Sequence, residues 1–539
     1  MRISRPLYPY LLLTHFFLHL YGVNLQQGLS VDRLVIPFVT SAVVLAALWW
    51  FLNLITKDVH RSGFLAAVVV LVFYSFGHVH GFISQFVPIR YGALLVAYGL
   101  FLAGSLYLTM KWPDAIRRIT PTLNVFALIL LMMALFVVVA SKLADRAASS
   151  QLAAPGSADV SGTQKPAATP TPSDTAVKPI KPDIYYIVLD EYARDDVLRE
   201  LFQYDNSDFT DFLRERGFYV AEKSHCNYPR TPFSLGSTLN MTHLDDLAET
   251  MGPQTATLNP LYDLIRDNEV ARVLKERGYG YFMTDSGLRP TRASQLADVV
   301  ISSDTAGEFE IAFFNATLLK TRASQKLAGT WRQRHLYNLE QVARIAADER
   351  ITFTFAHMML PHPPFVFDRE GAPAEAYEIR MTPDRGRYLP PDPKYRKLYL
   401  DQLIYTNKLI KPMIDQILAA SPEPPVIVLQ SDHGSWPASK WEPSANWLKE
   451  RMPILNAYHL PGDGASMLYD SITPVNTFRV ILDYYFGTSY GLLEDKIYYS
   501  HPHDSPYALE DVSDTFRASS YGPSTGSTTT SSAPHCSTP

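Results

Sequence analysis

Cysteine is scarce in this 539-residue sequence: Cys226 and Cys536 are the only two, and the second lies in a Ser/Thr-rich tail. A disulfide framework is therefore excluded, and neither cysteine has the spacing of a zinc finger. Also missing is any long Lys/Arg-rich block, and the formal net charge is only -5. That leaves no electrostatic footprint for a polyanion and excludes nucleic acid as a partner. Charge of either sign is sparse before residue 145, whereas the remainder has the mixed composition of a soluble protein. The length exceeds one ordinary domain, so the chain divides into two physically different halves.

In the first half, five segments at about 7–24, 34–54, 63–84, 91–110 and 123–141 are long and apolar enough to cross a bilayer, which takes about 20 helical residues. Five in succession with short connectors predict a membrane domain over residues 1–145 rather than buried core helices. The first segment is read as a retained anchor, since no small-residue cleavage site follows it cleanly. Arg2 and Arg5, Lys57 and Arg61, and Lys111, Arg117 and Arg118 all fall on one side of these spans. The opposite loops carry only Arg33 and Arg90, with Lys142 and Arg146 after the last span. Basic residues stay on the cytoplasmic side, so everything beyond residue 142 is expected outside the cytoplasm. His78 and His80 put polar groups near the end of the third span, facing either a lipid-headgroup cavity or the membrane–water interface.

Residues 146–182 are rich in Pro, Ala, Ser and Thr and lack the apolar periodicity a core needs, which predicts a tether. Residues 516–539 read as a second structureless segment, leaving 183–515 as the folded exported domain. There, IYYIVL at 184–189, YGYFM at 279–283, ITFTFAH at 351–357 and VIVLQ at 426–430 are apolar runs suited to strands buried on both faces. Helix-like stretches at 206–216, 260–277, 336–348 and 398–419 alternate with them. The expected fold class is an α/β sandwich with a mainly parallel or mixed sheet behind an N-terminal multi-span helical membrane domain. Chemistry in such a fold gathers at the carboxyl ends of the strands.

Strand 184–189 runs into Asp190 and Glu191, and strand 426–430 into Ser431, Asp432, His433 and Gly434. Carboxylate oxygens with an imidazole nitrogen suit a divalent cation, and the glycine lets the backbone turn closely; singly, each Asp is equally suited to capping the next helix. Between them lies NYPRTPFSLGSTLNM, from Asn227 to Met241, in which Thr231 suits an N-cap and Pro232 the first helical position. A threonine hydroxyl at a positive helix end beside a divalent cation is an activated nucleophile; alone, a Thr-Pro pair is a common helix start.

Together IVLDEY, NYPRTPFSLGSTLNM, HMMLPHPPFVFD and QSDHGS resemble the alkaline phosphatase and sulfatase superfamily, in its membrane-bound branch of lipoteichoic acid synthases and phosphoethanolamine transferases. The resemblance spans roughly 183–500 plus the five preceding helices. It implies an alkaline phosphatase-like fold, with Asp190, Asp432 and His433 as metal ligands and Thr231 as both ligand and covalent nucleophile. Glu191 is a second choice for the acidic ligand, because adjacent strand residues point in opposite directions. His362 corresponds to the family's substrate-phosphate histidine, His357 reads as structural at its strand end, and Arg230 is placed to contact an anionic substrate or solvent. The implied cofactor is one divalent ion, Mn, Zn, Mg or Ca. A second ion would need further ligands, and His501, His503 and Asp504 form a late cluster that either helps or is a solvated loop.

The implied reaction is a two-step displacement at phosphorus through a phosphothreonine on Thr231, on a membrane phospholipid or an envelope glycan or lipid. Sulfatases of the same superfamily use a Cys-x-Pro-x-Arg segment; here CNYPR, Cys226 to Arg230, has its proline one position late, which weakens a sulfatase reading. The remaining alternative is a non-catalytic membrane sensor or scaffold, against which Asp190, Thr231, Asp432 and His433 together argue.

Overall fold

The computed structural model describes residues 5–23, 32–84, 86–87, 89–152, 181–303, 308–374, 393–436, 441–501 and 505–519. Its first part is helical: α1 (Tyr8–Val23), α2 (Asp32–Thr56), α3 (Val59–Ser84), α4 (Tyr91–Lys111) and α5 (Pro113–Leu152). Four stretches, Leu34–Thr56, Val59–Ser84, Tyr91–Lys111 and Pro113–Leu143, are long and apolar enough to cross a membrane. The shorter α1, of 16 residues, packs against α5 and α3, burying Tyr8, Leu13, Phe17 and Leu20 in a shared core with Ala66, Ala67 and Ala127. Outward-facing Ile36, Leu100 and Phe136 are each at least 70 % exposed. A solvent-facing helix would not present such side chains, and a lipid-facing one would.

The second part is built on a seven-stranded sheet of β1 (Ile184–Leu189), β2 (Tyr219–Val220), β3 (Gly280–Thr284), β4 (Val299–Ile301), β5 (Thr352–Met358), β6 (Val426–Gln430) and β7 (Asn456–His459). Their order is β2-β7-β6-β1-β5-β3-β4, with β6, β1, β5, β3 and β4 mutually parallel and β7 antiparallel to β6 and β2. The sheet is thus mixed and mainly parallel, as its apolar runs imply. A small ribbon of β8 (Tyr498–Ser500) and β9 (Leu509–Asp511) stands apart.

Helices cover both faces. Tyr185, Ile187 and Leu189 of β1 enter one core, with α6 (Asp195–Phe202), α7 (Ser207–Glu215), α13 (Lys320–Ile345) and α14 (Pro393–Ala420); α12 (Glu308–Ala316) precedes α13. Ile184, Tyr186 and Val188 enter the opposite core, with α8 (Thr231–Asn240), α10 (Asn259–Arg266), α11 (Glu269–Glu276) and α16 (Thr477–Phe486). This alternation explains why β1 is apolar at every position: both sets of side chains are buried. The helices α9 (Asp245–Met251), α15 (Ala445–Arg451) and α17 (Ser513–Ser519) are the remaining α-helices among the described residues.

Candidate metal and nucleophile site

Parallel pairing sets the site. Val188 lies opposite His357 on β5 and Gln430 on β6, so Asp190, the residues after His357 and the turn Ser431–Gly434 emerge side by side at the carboxyl edge. That edge is where a parallel sheet leaves its strand ends open to loops. The turn after β6 is held internally: Ser431 Oγ donates to His433 O at 2.7 Å, and the His433 amide donates to Asp432 Oδ1 at 2.9 Å. Gly434 is required here, because a Cβ would stand 2.6 Å from Glu450 O, 2.8 Å from Arg451 O and 2.9 Å from Pro453 O.

Asp190, Asp432 and His433 are fully buried and offer ligand atoms that all lie within 4.8 Å of one another. His433 Nε2 is 3.2 Å from Asp432 Oδ2 and 3.8 Å from Asp190 Oδ1. Asp190 Oδ2 lies 3.2 Å from His357 Nε2, and among the described residues neither Asp190 oxygen nor Asp432 Oδ2 accepts a backbone hydrogen bond. Two buried carboxylates set against each other carry a desolvation and repulsion cost that a bound cation removes, so the donor set fits a divalent ion. The electrostatics agree. Burial pushes the Asp432 carboxyl well up and the charge of Asp190 adds to it. At Asp190 burial acts in the same sense, but His362, His357 and His433 outweigh it and hold the carboxyl below its ordinary range. Burial, then Arg451, drives the His433 imidazole far down, leaving a neutral ring with a lone pair to offer.

Thr231 Oγ1 lies 3.1 Å from His433 Nε2. Its helix begins one residue earlier than its Thr-Pro pair suggests: Arg230 has the extended N-cap backbone, and Thr231 and Pro232 occupy the first turn. The hydroxyl still sits at the positive end of α8. The His362 amide donates to Asp190 O at 3.1 Å, placing this residue beside the carboxylates.

The remaining sequence candidates separate. Glu191 is buried with φ +68° and is committed elsewhere: Oε1 pairs with Arg451 Nη1 at 2.9 Å and Oε2 accepts from Tyr395 at 3.3 Å. His357 is fully buried, with Nδ1 2.8 Å from Thr291 Oγ1 and Nε2 3.2 Å from Asp190 Oδ2. It backs the first carboxylate. Arg230 donates Nη2 to His501 O at 2.7 Å and its guanidinium lies 5.2 Å from the Trp441 ring centre. His501 is exposed and contributes its main chain to that bond, while His503 and Asp504 lie outside the described residues. Cys226 is wholly buried beside Trp441, Trp447 and Met452, where burial pushes its thiol up, the environment of an inert structural cysteine.

Sequence reasoning missed Arg451. Its Nε donates to Pro229 O at 3.0 Å, Nη1 to Gly434 O at 2.9 Å, and Nη2 lies 3.1 Å from His433 Nε2. One buried guanidinium thereby joins the loop before Thr231 to the turn that bears His433. In sequence it is only a basic residue ending a short helix, where a solvated cation is ordinary.

No family profile and no curated protein matches the chain. Solved structures do. The C-terminal periplasmic domain of EcEptC from Escherichia coli, in complex with Zn, shares 13% identity, with 61% of this chain and 92% of that one covered at a TM-score of 0.39. The corresponding domain of phosphoethanolamine transferase EptC from Campylobacter jejuni shares 13%, covering 57% and 90% at 0.35. An alkaline phosphatase superfamily protein from Vibrio parahaemolyticus shares 10%, covering 59% and 73% at 0.36. The likeness is one of outline, and the chemistry below rests on the geometry of this chain.

Proposed function

We propose that the chain is a membrane-anchored, metal-dependent phospho-headgroup transferase or phosphoesterase working outside the cytoplasm through a covalent intermediate on Thr231. The observation that carries this reading is the buried carboxylate pair of Asp190 and Asp432 with His433, facing a threonine hydroxyl 3.1 Å from His433 Nε2. A divalent ion held by Asp190, Asp432, His433 and Thr231 would supply Lewis-acid stabilisation of charge at phosphorus. Thr231 Oγ bonds to phosphorus as the bond to the lipid alcohol breaks, and the alcohol leaves with the proton that Thr231 gives up. Water or an acceptor hydroxyl then takes the group from Thr231. In this reading His362, whose amide meets Asp190 O, binds a phosphoryl oxygen, and Arg230 flanks the nucleophile at the N-cap of α8.

The membrane half supports a substrate drawn from phospholipid or from another envelope lipid or glycan. α1 serves as a fifth span in this reading, the basic loops face the cytoplasm, and residues 183–515 form the exported catalytic domain joined through 146–182. The test is peptide mass spectrometry on full-length protein purified with divalent metal and incubated with phospholipid vesicles. A phospho-headgroup adduct on Thr231, absent in Thr231→Ala, is the expected result, and its mass names the group. An unmodified Thr231 with formylglycine at position 226 would replace this reading with a sulfatase. No adduct and no bound metal would leave a non-catalytic scaffold.

A further inference from the structure

The two halves of the chain meet through more than the segment that connects them. Phe313 and Phe314 are neighbours on α12, yet Phe313 packs into the core of the membrane helices and Phe314 into the core of the α/β domain. The Phe313 ring lies 5.7 Å from Phe17 of α1 and 6.3 Å from Tyr74 of α3. Backbone contacts reinforce the seat: the Leu318 amide donates to Phe73 O at 2.8 Å, and Tyr91 of α4 donates its hydroxyl to Leu318 O at 2.5 Å. Gly77 makes the approach possible, since a Cβ there would stand 1.8 Å from Asn315 O and 2.8 Å from the Ala316 backbone. Ala316 and Thr317 are buried in the contact.

The contact lies at one end of the bundle. Gly77 is seven residues before the end of α3, about 10 Å at the helical rise, and Tyr91 opens α4. In an up-and-down bundle those ends share a side with the end of α5, from which the catalytic half departs. The segment from Glu308 to Leu319, EFEIAFFNATLL, is correspondingly apolar after its two glutamates.

We propose that α12 and the turn to Leu318 form a membrane-level foot of the catalytic domain, seated on α1, α3 and α4, which holds the Thr231 site in one orientation over the bilayer. A second joint beyond the covalent connection converts encounter with an embedded substrate into a fixed geometry. The joint is independent of the chemistry, whereas its consequence for turnover rests on the phospho-transfer reading above.

The experiment separates the two. A protease site is placed within residues 153–180 of the full-length protein, the N-terminal half is tagged, and after cleavage in mild detergent the tag is captured. The catalytic fragment is expected to stay bound, and Gly77→Leu or Phe313→Ala, which disturb the joint from opposite sides, should each cut retention about ten-fold or more. Release of the fragment from the unsubstituted joint, or retention in both variants equal to the parent's, overturns the foot. The uncleaved variants are then assayed on a phosphodiester lipid in vesicles and on soluble bis(p-nitrophenyl) phosphate. An about ten-fold loss confined to vesicles is expected; equal effects on both substrates overturn the orienting role. If the parent protein turns over neither, the Thr231 reading has failed and retention alone judges the foot.

Discussion

Arg451 Nη2 and His433 Nε2 lie 3.1 Å apart, while the same guanidinium pairs with Glu191 at 2.9 Å. The Arg451–Glu191 pair is almost wholly buried, at 4% and 1% side-chain exposure. Removing one member strands the other charge, which typically costs about 3–5 kcal/mol. Arg451→Met and Glu191→Gln are each expected to destabilise the protein strongly, and the double variant to recover much of the loss. A double-mutant cycle by denaturant titration checks this; additive losses would show that the two groups are not energetically joined.

Asp190 and Asp432 place two carboxyl groups against each other in a dry site, and the charge of Asp190 adds to the burial that raises the Asp432 carboxyl. Neutralising one side chain should relieve the metal-free protein while weakening ion binding. Asp432→Asn is accordingly expected to raise the melting temperature in chelator, by an amount corresponding to about 1–3 kcal/mol, and to abolish the further rise that divalent metal gives the parent. Thermal unfolding with and without chelator distinguishes this from a site that is simply structural, in which Asp432→Asn would lower both temperatures.

Much of the α/β fold was legible in the sequence. Strands β1 and β6 match their runs residue for residue, because a strand buried on both faces is apolar along nearly its whole length; Asp190 follows β1 directly, and Asp432 follows β6 after Ser431. The short strands β2, β4 and β7 escaped notice, being two to four residues long and recruited by pairing at the sheet edges rather than by any run of their own. Helix 260–277 divides at Asp267 and Asn268, where the Asn268 side chain accepts from the Ala271 amide and starts a new helix. Asp190, Thr231, Asp432 and His433 were picked out as candidates because strand ends and helix starts leave local marks. Arg451 and the opposed burial of Phe313 and Phe314 were not, because each depends on segments distant in sequence meeting in space.

Gly434 has a partner backbone on three sides, and any side chain must displace it. Gly434→Ala is expected to cost about 1–3 kcal/mol and to disrupt activity by shifting His433, one residue earlier. Comparing metal affinity by calorimetry with stability by denaturation checks this. Parent-like affinity in a folded variant would show that the turn tolerates the shift.

His335 is fully buried on α13, 5.8 Å from Trp331 and near Arg334, and burial followed by that charge lowers its imidazole to about 3. The sign follows from proton uptake. As pH falls below about 6.5 the unfolded chain takes up a proton that the folded one refuses, so folding is penalised by about 1.4 kcal/mol for each pH unit until the folded group itself titrates near 3. The stability due to this residue is thus fully present at neutral pH and falls on acidification. His335→Phe, which keeps an aromatic ring against Trp331, is expected to remove that increment from the slope of unfolding free energy between about pH 6 and 4.5. Denaturant titrations of parent and variant across this window measure it directly, and identical slopes would mean that the imidazole gains a proton without unfolding the domain.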